Sequence, residues 1–458
     1  METGIPEDFI NEMINTFGAE QAELLVKELD SEPVTSIRLN PLKTPAVSTP
    51  TNATPVPWCR DGWVLNERPQ FTLIPEWHAG CFYVQEPSSM IIYEVVKRIA
   101  SRFTKTDVRY LDLCAAPGGK TTAALSALPE QAFVVANEFV PSRAKILLEN
   151  LCKWGAHNTA VTCGDTAAFR KLQDVFDIVA VDAPCSGEGM MRKDEEARRQ
   201  WSVTLVQQCA ELQREILRNG WTALRPGGYL IYSTCTFNGT ENENTLLYAV
   251  DELGAESIDL GIASDFGLPY GLVPNLHAIR FMLHITTGEG LFLGVLRKPA
   301  DEGDAPTCAK GKIRKSTPPL PDKIRNLLIN SCDYDYEQTK ESVWCAIPKI
   351  HSLLVSQLQK HSRLLSTGIT LGETKGKDFV PDAALALSTA ISPTAYPRCE
   401  VDKDTALCYL RRKALVLPPD TPRGFVIITY NGHCLGFVKN LGQRANNLYP
   451  QNWRIRHL

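Results

Sequence analysis

Between residues 108 and 298 short β-rich runs alternate with helical patterns, the runs falling at 108–113, 133–136, 160–163, 176–181 and 229–233. Parallel strands need a crossover of a dozen or more residues, usually a helix, so this spacing predicts a parallel, doubly wound α/β sheet. The runs 280–285 and 291–296, joined across Thr-Thr-Gly-Glu-Gly, predict an antiparallel hairpin that closes it. Open α/β sheets bind ligands in the crevice outside the carboxyl ends of their strands, so residues just past each run are the first candidates for chemistry.

The rest of the chain divides around this unit. At 458 residues it exceeds one ordinary core, and a length prior of roughly 150 residues per domain expects about three. Residues 1–100 form an N-terminal extension: two amphipathic helices (Phe9, Ile10, Met13, Ile14, Phe17, then Ala22, Leu25, Val26, Leu29), then a proline-rich stretch at 41–57. The catalytic domain is expected at 101–300, a linker at 301–321, and a small mixed domain at 322–391 with one helix around 350–358. Residues 392–458 are β-rich, with runs at 414–417 and 424–430 and an Asn431-Gly432 turn, and predict a small barrel.

No apolar run approaches the ~18 residues of a membrane helix, and Met-Glu-Thr-Gly-Ile-Pro-Glu-Asp does not read as a signal peptide. A cytoplasmic, monomeric protein with reduced thiols is expected. Its 14 cysteines are scattered without a Cys-x-x-Cys pair, so neither a metal site nor a disulfide framework is expected. Net charge is −4, but from residue 400 onward nine Lys and Arg face four acids, and Lys310, Lys312, Arg314 and Lys315 cluster upstream. Localised positive charge is the electrostatic footprint of phosphate binding.

Cys114-Ala115-Ala116-Pro117-Gly118-Gly119-Lys120-Thr121 follows the first run and opens a helix. A phosphate-cradling loop would need glycine where Cys114 stands, and Pro117 removes a donor N–H. No Gly-x-Gly-x-x-Gly is present either. Glu138, at the end of the second run, is suited to both hydroxyls of a ribose, and Asp165, after the third, to an adenine amino group. An adenosyl ligand without phosphates fits this set, which points to S-adenosyl-L-methionine.

Two cysteines occupy the next strand ends, Cys185 in Asp182-Ala183-Pro184-Cys185-Ser186-Gly187 and Cys235 in Ser233-Thr234-Cys235-Thr236. A pair of thiols beside a methyl donor suggests covalent catalysis, although spacing does not say which one attacks. A free thiol with a pKa near ~8.5 is mostly protonated at neutral pH, so an attacking cysteine needs an electropositive neighbour or a helix N-terminus, and Lys120 is a candidate.

These three motifs, in this order, resemble the RNA (cytosine-5) methyltransferases of the Sun and RsmF kind. Similarity extends to Tyr83-Val-Gln-Glu-Pro-Ser-Ser-Met90, Arg38-Leu-Asn40, Gly436-Phe-Val-Lys-Asn-Leu-Gly442 and Asn446-Asn447-Leu-Tyr-Pro450, and is closest to the RsmF branch. The resemblance implies a Rossmann-like class I methyltransferase domain, a C-terminal PUA-like RNA-binding domain, and small-subunit (16S) ribosomal RNA as partner. It also implies that Cys235 attacks carbon 6 of cytosine and Cys185 aids product release. Asp182 is then expected to hydrogen-bond the protonated N3 and to touch the cofactor, and Arg143 to lie on the cofactor side. A transfer RNA substrate, a protein or small-molecule methyltransferase, and a non-catalytic RNA-binding factor are the competing readings.

Overall fold

The computed structural model describes residues 4–43, 50, 52–300, 320–339, 342–376 and 378–456. Its centre is a nine-stranded sheet with strand order Glu256–Ser257, Leu291–Arg297, Leu224–Thr234, Phe176–Asp182, Arg109–Asp112, Phe133–Glu138, Thr159–Cys163 and Leu364–Thr367, with Ala278–Phe281 paired to Leu291–Arg297. The five strands from Leu224–Thr234 to Thr159–Cys163 are parallel. They are buried on both faces, which is why they read as near-continuous apolar runs. Alternate side chains serve opposite layers: Tyr110, Val134, Ala136 and Ile178 enter one core, while Leu111, Phe133, Val135 and Val179 enter the other. Strand order reverses at Arg109–Asp112, which opens the ligand crevice beside Asp112 and Asp182.

The closing hairpin forms, but its first arm ends at Phe281. Met282 and Leu283 instead pack with Phe9, Met13 and Leu25 of the two N-terminal helices, Glu7–Phe17 and Ala19–Glu28. In the 322–391 region the helix spans Ser352–His361, and Tyr334–Gln338, Val343–Pro348, Ile369–Lys375 and Asp378–Pro381 form a separate four-stranded sheet. Leu364–Thr367 leaves that sheet and pairs antiparallel with Thr159–Cys163, covering an edge of the central sheet that would otherwise expose unpaired backbone. The basic cluster at 310–315 and linker residues 301–319 lie outside the described residues.

At the C-terminus Arg398–Glu400, Gly424–Tyr430, His433–Asn440 and Ala445–Asn447 form a four-stranded sheet beside the helix Lys403–Leu410. The run 414–417 is not a strand. Leu415 makes only an isolated bridge to Ala445, Val416 is 78% exposed, and Pro418 ends any ladder. Tyr409, Leu410, Val438 and Tyr449 share one core with Ile37, Leu39 and Phe82 of the N-terminal sheet, so the two ends of the chain are packed together. Among the described residues no helix is long and apolar enough to cross a membrane.

A tight crossing joins the N-terminal extension to the central domain at Gly80, whose φ is +71°. A Cβ there would sit 1.8 Å from the Lys153 carbonyl oxygen, which is backbone and cannot swing aside. Gly80→Ala is expected to destabilise the protein by about 2–4 kcal/mol, combining overpacking with a backbone conformation that L side chains avoid. A wild-type midpoint in urea unfolding would contradict this.

Candidate active site

A cavity of about 750 Å³ lies at the carboxyl ends of the parallel strands. The residues from Cys114 to Pro117, Gly119, Lys120, Glu138, Arg143, Asp165, Asp182, Cys185 and Cys235 all line it. Gly118 stands behind the wall as the left-handed residue (φ +110°) that turns the strand into the helix Gly119–Ala127, and a Cβ on it would press on Leu147 at 3.2 Å.

The loop is held from outside. Arg143 Nη2 donates to the Ala116 carbonyl at 2.9 Å, and Asn150 Nδ2 and the Tyr83 hydroxyl donate to that of Pro117 at 2.8 and 3.2 Å. Behind the helix, Arg38 is fully buried. It donates to Thr122 Oγ1 at 2.6 Å, Gln85 Oε1 at 2.9 Å and the Gly119 carbonyl at 3.3 Å, and it stacks on the Trp154 ring. Burial lowers its pKa to about 10. Arg38 and Gln85 both fall in stretches that carry the resemblance. In the structure Arg38 braces the helix that begins at the cofactor loop, while Gln85 holds Arg38 and also lines the cavity.

Glu138 is 3% exposed, and its Oε1 accepts from the Val140 N–H at 2.9 Å, which fixes the carboxylate at the strand end. Asp165 is exposed and uses Oδ1 to accept from the Ala167 N–H at 2.8 Å. Asp112, which sequence reasoning passed over because it sits inside an apolar run, also lines the cavity. Burial lifts its pKa to about 7, and its Oδ1 has no partner among the described residues, while Oδ2 accepts from Thr121 Oγ1 at 2.6 Å. The cavity therefore offers an acid suited to a ribose, a second acid near the strand end and an orphaned carboxylate oxygen. A ligand carrying sugar hydroxyls and a cationic amine fits this donor and acceptor set, and S-adenosylmethionine is such a ligand.

Lys120 Nζ lies 2.7 Å from Asp182 Oδ2, and Ser233 Oγ donates to Asp182 Oδ1 at 2.8 Å. Burial works against a charge on Lys120, but Asp182 outweighs it and the ammonium pKa is raised. The side chain thus pairs directly with Asp182, and the sulfur of Cys235 has a different hydrogen-bond partner. Cys185 Sγ and Cys235 Sγ are 3.0 Å apart, and both cysteines are half-buried free thiols. The hydrogen bond to Cys235, and then burial, push the Cys185 pKa well above the ordinary thiol range. The two sulfurs thus share one hydrogen bond, in which either can donate. The Cys114 thiol is also pushed well up by burial, which suits a wall residue and not a reagent.

Comparison with known proteins fits this geometry. Residues 103–297 match the family model "16S rRNA methyltransferase RsmB/F", residues 5–87 "N-terminal domain of 16S rRNA methyltransferase RsmF", and residues 396–455 "Methyltransferase RsmF PUA domain". The chain is 34% identical over 450 residues to ribosomal RNA small subunit methyltransferase F of Salmonella heidelberg, covering 91% of this chain and 89% of that one. With the same-named protein of Cronobacter sakazakii it shares 32% over 420 residues, covering 87% and 84%. Among solved structures, a methyltransferase homolog protein from Pyrococcus horikoshii superimposes with a TM-score of 0.55 at 25% identity, covering 65% of this chain and 96% of that one. NSun6 from the same organism, solved with SFG, shares the fold at a TM-score of 0.55 and 20% identity, covering 66% and 100%. On identity sustained across nearly the whole of both chains, this protein belongs to the ribosomal RNA small subunit methyltransferase F family.

Proposed function

We propose that this protein methylates carbon 5 of a cytosine in small-subunit ribosomal RNA, using S-adenosylmethionine and a transient covalent bond between Cys235 and carbon 6 of the base. The observation that carries this reading is the thiol pair, 3.0 Å apart, in the same cavity as the cofactor loop, Glu138 and Asp182. The names of the relatives support the ribosomal substrate.

Bound S-adenosylmethionine supplies an electrophilic sulfonium methyl; the chain must make a poor carbon nucleophile attack it. Cys235 thiolate adds to carbon 6, and the electron pair displaced from the C5–C6 double bond makes carbon 5 nucleophilic. Asp182, held by Lys120 and Ser233, stabilises the protonated N3 as charge moves into the ring. After the C5–methyl bond has formed, the carbon 5 proton leaves, the C5–C6 double bond returns and Cys235 departs as thiolate. Cys185 serves this last step. Adduct formation turns Cys235 into a thioether and removes the hydrogen bond and charge that hold the Cys185 proton. Cys185 then loses that proton to solvent and receives the one on carbon 5. The target base must be unstacked to enter the cavity, which is easiest in a loop or single strand. Exposed Arg412-Lys413, Arg423, Arg444, Arg454 and Arg456 on the C-terminal module anchor the flanking RNA.

Incubating the protein with small-subunit ribosomal RNA and labelled S-adenosylmethionine, then mapping the modification, tests the reading. Label at 5-methylcytosine is expected; label on a ribose or another base would overturn it. The cofactor side makes its own prediction. Glu138→Ala removes a buried carboxylate assigned to the ribose hydroxyls, and a lost hydrogen bond to a charged group is worth ~1.5–3 kcal/mol. Cofactor affinity by calorimetry should fall roughly 10–100-fold.

A further inference from the structure

The two thiol loops are tied together by a pair of buried carboxylates. Glu188 belongs to the Cys185 loop, yet it accepts from the backbone N–H groups of Phe237 and Asn238, just past Cys235, at 2.6 and 3.1 Å. Asn238 Nδ2 at 2.7 Å and Trp201 Nε1 at 3.0 Å complete its set. Glu241 belongs to the Cys235 loop, yet it accepts from the N–H and hydroxyl of Ser186, the residue after Cys185. Its remaining donors are Gln213 Nε2 at 2.7 Å and Asn238 Nδ2 at 2.9 Å. Gln213 Nε2 also donates to the Pro184 carbonyl at 3.0 Å, and the Gly189 N–H donates to the Cys235 carbonyl at 2.7 Å.

The arrangement is crossed: each loop sends a carboxylate into the backbone of the other. Both carboxylates are fully buried, and four accepted hydrogen bonds fill the capacity of each. Buried carboxylates are costly unless satisfied, and apolar side chains of similar volume would pack the loops at least as well. What apolar packing would not supply is a fixed register between two backbones. The groups so fixed are the neighbours of the two sulfurs.

We infer that Glu188 and Glu241 are positioning residues with separate targets: Glu188 sets Cys235 for attack, and Glu241 sets Cys185 for release. This inference rests on the roles assigned above to the two cysteines. In Glu241→Gln the side-chain amide turns an N–H toward donors that now lack an acceptor, so the Ser186 end loosens while Phe237 and Asn238 N–H stay bound to Glu188. In Glu188→Gln the Cys235 end loosens instead.

The test uses the full-length protein with small-subunit ribosomal RNA and labelled S-adenosylmethionine. It reads single-turnover methyl transfer, steady-state turnover and the fraction of protein–RNA adduct that survives denaturation. Glu241→Gln is expected to slow steady-state turnover on the order of tenfold more than single turnover, with adduct accumulating. Glu188→Gln is expected to slow single turnover on the order of tenfold without adduct accumulating. Ser186→Ala removes one of the Glu241 bonds and should shift the adduct fraction in the Glu241→Gln direction by a smaller factor; it decides the matter if a glutamine variant fails to fold. Equal losses in both steps for both variants, or wild-type partition in Ser186→Ala and Glu241→Gln, would overturn the inference. Absence of adduct and 5-methylcytosine with the unaltered protein would instead overturn the reading beneath it.

Discussion

Cys185→Ala should leave RNA attached to the protein through a bond that survives denaturation, whereas Cys235→Ala should show no such adduct and lose methyl transfer by roughly a thousandfold or more. The asymmetry follows from the separate roles proposed for the two sulfurs. Removing Cys185 leaves the sulfur proposed to attack in place and still able to add to carbon 6. What is lost is the group that receives the carbon 5 proton, and the methylated base then remains bound. Removing Cys235 deletes the nucleophile itself, and carbon 5 never becomes reactive enough to take the methyl group. Gel electrophoresis under denaturing conditions, with labelled RNA and cofactor, separates the outcomes. An adduct with Cys235→Ala and none with Cys185→Ala would exchange the roles.

Asp182→Asn is expected to lower kcat roughly 10²–10³-fold, the usual effect of removing one preorganised group that stabilises developing charge. Asp182 is held from two sides, by Lys120 Nζ at 2.7 Å and Ser233 Oγ at 2.8 Å, so its orientation does not depend on the substrate. Asparagine keeps the volume and loses the negative charge that steadies a protonated N3. It also leaves the Lys120 ammonium, which lines the cavity, without its counter-charge. Because Glu138, Asp112 and the loop around Gly118 are unchanged, cofactor affinity should move by less than about tenfold. A variant with normal kcat and weak cofactor binding would assign Asp182 to the cofactor alone.

The central sheet is legible in the sequence because burial on both faces of parallel strands leaves uninterrupted apolar runs, and each motif lies where a run stops. The apolar pattern makes the first arm of the hairpin look longer than it is, because Met282 and Leu283 are apolar for another reason: they meet the N-terminal helices. The run 414–417 is apolar without being a strand for a similar reason, because Leu415 and Leu417 are buried without any ladder to join. Leu364–Thr367 carries no local sign that it belongs to the central sheet, as its partner strand lies about two hundred residues earlier.

From the sequence alone came the strand order along the chain, the shape of the cofactor loop and the identity of the residues at each strand end, because these depend on local periodicity and on nearest neighbours. Only the tertiary structure decided that Lys120 pairs with Asp182, that the sulfurs of Cys185 and Cys235 share a hydrogen bond, and that Glu188 and Glu241 cross between the two loops. Those contacts join groups some fifty to sixty positions apart, and their strength comes from exclusion of water, which the whole fold creates and no short stretch of chain encodes.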